Sequence, residues 1–139
     1  MLELKVVLNE DYGGFHLTKE MAEWLEKECS WTIINQKKYD YKQKYPINTL
    51  LDMGGNMFIN PSNNDSIEFR SNQDLIKCVL HFKKVHENDD YMESRYGQIH
   101  SLNIKNVQIE LGIKDYNDGK EKVYSNILVE DDEEYYEWI

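Results

Sequence analysis

From Leu102 to Leu111 the chain alternates: Leu102, Ile104, Val107, Ile109 and Leu111 are apolar, with Asn103, Lys105, Gln108 and Glu110 between them. A period of two would scatter these side chains around a helix, so the segment reads as a long strand with one buried face. The alternation slips once between Ile104 and Val107, which fits a β-bulge near Asn106. Asp115 to Gly119 carries turn residues, with Asp118-Gly119 suited to a left-handed glycine, and Val123 to Val129 returns as the other arm of a hairpin. A half-apolar hairpin has to be covered, and the rest of the chain must supply the cover.

Two segments have helical spacing. Leu17, Met21, Trp24, Leu25 and Cys29 recur on one face, with Thr18 as the N-cap. Ser71 or Asn72 caps a second helix running to about Glu87, whose apolar face is Leu75, Ile76, Val79, Leu80 and Phe82, and Asp74 complements the positive end of its dipole. Shorter runs read as strands: Leu2 to Leu8, Trp31 to Asn35, Thr49 to Met53 and Asn56 to Ile59 as a hairpin around Gly54-Gly55, and Ile67 to Arg70 after the polar loop Asn60 to Asp65. The fold class is α+β, a mainly antiparallel sheet of about five to seven strands with two main helices packed on one face. At 139 residues the chain suits a single domain over residues 1–129, followed by an acidic aromatic tail over 130–139.

Charge is distributed unevenly. The 26 Asp and Glu against 16 Lys and Arg give a net charge of −10, and six of those carboxylates lie between Glu130 and Glu137 with no cation among them. An acidic chain is repelled by free nucleic acid and by anionic membranes, so neither is expected as a direct partner, whereas a basic protein surface is attracted. Asp131, Asp132, Glu133, Glu134, Tyr135, Tyr136 and Trp138 combine steering charge with aromatic anchors, which makes them candidate binding residues. The plainer reading of the same segment is a solubilising terminus.

No secretion signal or membrane-spanning run is evident in the sequence, which places the protein in the cytosol. Cys29 and Cys78 fall among apolar residues of the two helices and form no CxxC, consistent with reduced, buried thiols.

Tyr12, Gly13, Gly14, Phe15 and His16 lie between a strand and a helix, where backbone amides can hold an anion. The segment lacks the P-loop and dinucleotide patterns, and two glycines that allow positive φ in a tight turn are the plainer account of it. Lys37-Lys38-Tyr39-Asp40-Tyr41-Lys42-Gln43-Lys44-Tyr45 interleaves cations with aromatics, as single-strand nucleic-acid platforms do. On an acidic body it reads instead as a solvated segment, or as a patch for an acidic neighbour such as another subunit's tail if the chain self-associates. Asp115 to Gly119 lacks the glycine position and bidentate Glu of a calcium loop. His16, His81, His86 and His100 show no metal spacing, and no catalytic nucleophile motif is present, so no cofactor, metal or enzymatic activity is expected.

Lys5-Val6-Val7-Leu8-Asn9, Tyr12-Gly13-Gly14-Phe15 and Leu17-Thr18 resemble the opening of a family of small bacteriophage and prophage proteins, K-[IV]-[IV]-[IL]-N-x-x-[YF]-G-G-F-x-L-[ST]. Arg70-Ser71 with Asp74-Leu75 is similar to that family's capped second helix, although Gln73 replaces the usual proline. Asp115-Tyr116 to Gly119 with Glu121 is similar to its late turn with one residue inserted. The resemblance implies a phage or mobile-element setting and no catalytic residues. Within that setting the chain's acidity points to a counter-defence protein of the anti-CRISPR type, an acidic decoy that binds a basic nucleic-acid-binding protein of host defence. The alternative is an oligomeric sponge that sequesters a nucleotide signal at the Gly13-Gly14 loop. An enzyme degrading such a signal ranks last, because no base, nucleophile or metal set can be named.

Overall fold

Helix starts are fixed by side chains that take the first free amides. Thr18, in extended conformation, accepts the Met21 amide on Oγ1 at 3.1 Å and opens α1 (Lys19–Cys29), which closes at Ser30 in the left-handed region. Ser66 accepts the Phe69 amide and opens the single turn α2 (Ile67–Arg70). Asn72 takes the Asp74 and Leu75 amides at 2.9 and 3.3 Å and opens α3 (Gln73–Val85). In this computed structural model, residues 2–10, 14–89, 99–115, 119, 121–129 and 134–138 are described.

The strands are β1 (Leu2–Asn9), β2 (Thr32–Asn35), β3 (Thr49–Asp52), β4 (Phe58–Ile59), β5 (Leu102–Asp115), β6 (Glu121–Val129) and β7 (Glu134–Trp138). The class is α+β, and the strands form two sheets, of order β1-β5-β6-β7 and β2-β3-β4, where the sequence suggested one. β2 and β3 run parallel, with Thr32 opposite Thr49 and Asn35 opposite Asp52. Residues 36–48 supply the crossover of about a dozen residues that a parallel pair requires. β3 and β4 form the expected antiparallel pair around Gly54 and Gly55, both at positive φ, and the Met53 amide donates to the Met57 carbonyl at 2.8 Å.

The chain divides into two compact units, residues 7–104 and residues 1–6 with 105–139. In the first, α1 packs on α3 around a core that includes Val7, Leu17, Met21, Leu25, Trp31, Leu50, Phe58, Phe69, Leu75, Val79, Phe82 and Leu102. The Trp31 indole is buried and donates to the Asp74 carboxylate at 2.9 Å, tying the exit of α1 to the first turn of α3. Cys29 and Cys78 are free thiols, and burial raises the pKa of both. In the second unit β5 and β6 pair from Val107 opposite Val129 to Asp115 opposite Glu121, and Gly119 adopts φ +79°. β7 pairs with β6, so residues 134–138 of the acidic terminus are the edge strand of this sheet, with Tyr135 opposite Ile127 and Trp138 opposite Tyr124.

Two further expectations differ from the structure. Ile67 to Arg70 is helical instead of a strand, because the Ser66 cap closes a turn over a stretch too short for periodicity to separate the two forms. Leu80 is 57% exposed, and Cys78 takes its place in the buried stripe with Leu75, Ile76, Val79 and Phe82.

Candidate functional site

The glycine turn before α1 is fastened from several sides. Gly14 adopts φ +72°, and its carbonyl accepts the Asn9 side-chain amide at 2.9 Å. Phe15 and His16 are both buried. The Phe15 ring meets Phe69 edge-on at 5.8 Å, and the Arg70 guanidinium lies 3.6 Å from its centroid. The Phe15 carbonyl accepts from Asn64 Nδ2 at 2.9 Å, and Leu17 exchanges backbone bonds with Phe58 at 2.8 and 2.9 Å. These contacts make Phe15 part of the packed interior, and the neighbouring His16 is buried as well. Tyr12 and Gly13 lie outside the described residues.

Two residues to which the sequence assigned no binding or structural role, Arg70 and Asn60, hold this region together. Arg70 donates Nε to the Asn64 carbonyl at 2.8 Å, Nη1 to the Val7 carbonyl at 3.2 Å and Nη2 to Asp65 at 2.8 Å. Asn60, almost fully buried, donates to the Ile47 and Thr49 carbonyls at 2.8 and 2.9 Å and accepts the Ser62 and Asn63 amides. A signal for Arg70 exists: it is one of only two arginines beside 14 lysines, and arginine is the cation that satisfies several acceptors while partly buried. Asn60 stands in an Asn- and Ser-rich loop whose composition points only to a turn.

The basic, aromatic stretch forms one wall of a cleft of about 500 Å³. Tyr39 and Tyr45 stack at 5.8 Å and 23°, and Tyr45 Oη accepts the Asp40 amide at 3.0 Å. The Asp40 carboxylate accepts the Lys42 amide at 2.9 Å, which bends the chain so that Lys42 Nζ comes to 5.7 Å from the Tyr41 ring centroid. Tyr41 is 79% exposed. Pro61, Ser62 and Asn63 form the facing wall, and the Ser62 hydroxyl donates to the Tyr45 carbonyl across the base. Lys42 and Lys44 line the cleft with Glu68 as its one carboxylate.

No family model, curated protein or solved structure matches the chain.

Among the described residues no three His, Cys, Asp or Glu side chains converge as a metal site would require, and no helix is long and apolar enough to cross a membrane. His86 does lie between Glu20, at 2.7 Å from Nε2, and Asp89, on Nδ1. Carboxylates on opposite ring nitrogens cannot share one ion with that ring. The pair hydrogen-bonds the charged imidazole and raises its pKa. Of the acidic aromatic candidates, Glu134, Tyr135, Tyr136 and Trp138 belong to β7, while Asp131, Asp132 and Glu133 lie outside the described residues.

Proposed function

We propose that this is a non-enzymatic binding protein whose acidic aromatic edge strand engages a basic surface on a partner protein. The observation carrying this reading is the position of β7: Glu134 to Trp138 occupy the end of the strand order β1-β5-β6-β7. An edge strand has one row of backbone groups without an in-sheet partner, and this one carries Glu134 and Glu137, two of the six carboxylates of the stretch from Glu130 to Glu137. Carboxylates at such an edge steer a cationic partner, and tyrosine and tryptophan supply large anchoring areas at low entropic cost. In the phage setting implied by the N-terminal resemblance, the partner is a cytosolic nucleic-acid-binding protein of host defence, and the strand competes with nucleic acid for its basic channel.

The test is capture. Immobilised protein should retain nucleic-acid-binding proteins from a host lysate at low salt, release them as salt is raised, and displace duplex DNA from the captured protein. Glu134→Lys with Glu137→Lys should abolish all three effects. Capture that survives this double substitution, or that is indifferent to salt, rules the reading out.

A further inference from the structure

We propose that the tyrosine–lysine cleft binds a nucleoside phosphate, independently of the acidic strand. Its volume of about 500 Å³ lies inside the range of roughly 300–1,000 Å³ typical of small-molecule sites. The lining matches the parts of that ligand class. Tyr41 offers an open ring face for a base, while the stacked Tyr39–Tyr45 pair forms a wall already held by the Asp40 amide and the Ser62 hydroxyl. Base stacking on tyrosine requires only a π-face, and a wall held in advance reduces the ordering entropy of binding. Lys42 Nζ lies over one face of the same ring, 5.7 Å from its centroid, and Lys44 lines the same cleft, so a base stacked on the opposite face would have cations beside it for its phosphates. Gln43 and Asn63 add carboxamides able to give and accept hydrogen bonds with sugar hydroxyls or a base edge.

Charge selects a single nucleotide over a strand. Residues 37–45 carry four lysines and one aspartate, yet the whole chain is at −10. A mononucleotide samples the local lysines, whereas each added phosphate of a polynucleotide extends away from them over an acidic body.

Calorimetric titration tests the proposal with ATP, adenosine, inorganic tripolyphosphate and a thymidine oligonucleotide as probes. ATP should bind more tightly than adenosine, which lacks the phosphates, and more tightly than tripolyphosphate, which lacks the base. Tyr41→Ala should weaken ATP on the order of ten-fold, as expected for loss of one stacking partner. Lys42→Glu with Lys44→Glu should weaken it at least as much. Both variants alter side chains on the surface of the cleft, and an unchanged melting temperature would confirm that each remains folded. No measurable ATP binding overturns the proposal, as does ATP affinity that neither variant alters. Adenosine or tripolyphosphate binding as tightly as ATP removes the two-part recognition and also overturns it. An oligonucleotide bound more tightly than ATP assigns the cleft to a strand instead.

Discussion

Arg70 shows how much of the first unit depends on one planar cation. Burial lowers its pKa and Asp65 raises it, but guanidinium remains charged at any accessible pH. The contact with Asp65 is largely exposed and contributes little. The weight falls on the bonds to the Asn64 and Val7 carbonyls and on the Phe15 ring face. Arg70→Ala should destabilise the protein by about 3 kcal/mol in urea unfolding, and Arg70→Lys by about 2, since a point charge cannot reach both carbonyls and the ring. A lysine variant as stable as the parent would show that charge alone matters.

A second side chain makes stability depend on pH. Glu20 and Asp89 raise the folded pKa of His86 above its ordinary value of about 6.5. Protonation is thus easier in the folded chain, and the stabilisation is fully present below the unfolded pKa and lost as pH rises through the folded one. The difference in melting temperature between the parent and His86→Ala should therefore be larger at pH 5.5 than at pH 8.5. A difference that is constant or grows with pH contradicts the assignment.

At the scale of elements, the loop from Asn60 to Asp65 governs both the glycine turn and the cleft. Asn60 spans from the end of β4 to the backbone of Ile47 and Thr49, and Asn64 carries the link on to Phe15. Asn60→Asp keeps the acceptor for the Ser62 and Asn63 amides but sets a carboxylate against two carbonyls. It should cost about 3 kcal/mol, whereas substitution of the exposed Asn63 by alanine should cost less than about 1, both read by chemical denaturation. This loop also marks where local sequence reading stops. The two longer helices were legible to within about two residues because Thr18 and Asn72 are capping residues followed by helical spacing. The slip after Ile104 was legible too: Leu102 is buried before it and Val107 and Ile109 after it. The parallel pairing of β2 with β3, the division into two sheets, and the joint service of Arg70 and Asn60 depend on residues distant in sequence. No window of alternating or helical spacing encodes them.

For the molecule as a whole, the decisive quantity is where the −10 resides. Glu130 to Glu137 hold six carboxylates, so replacing all six by their amides takes the net charge from −10 to −4. At about 10 mM salt the screening length is roughly 30 Å, so charge beyond a ligand's immediate contacts contributes to its binding. The two proposed ligands have opposite charge, so the same variant should affect them in opposite directions. Capture of a basic protein should fall sharply, because its attraction and its contacts are both removed. ATP should bind the cleft a few-fold more tightly at low salt, because the repulsion opposing its approach is reduced while Tyr41, Lys42 and Lys44 are untouched. The gain in ATP affinity should vanish near 0.5 M salt, where the screening length falls to about 4 Å. Unfolding would depress both affinities together, so loss of ATP binding in the amide variant is distinguishable from the predicted exchange. Gain of one ligand with loss of the other, measured on one preparation, would establish that an acidic strand and a basic cleft operate as separate sites under a shared field.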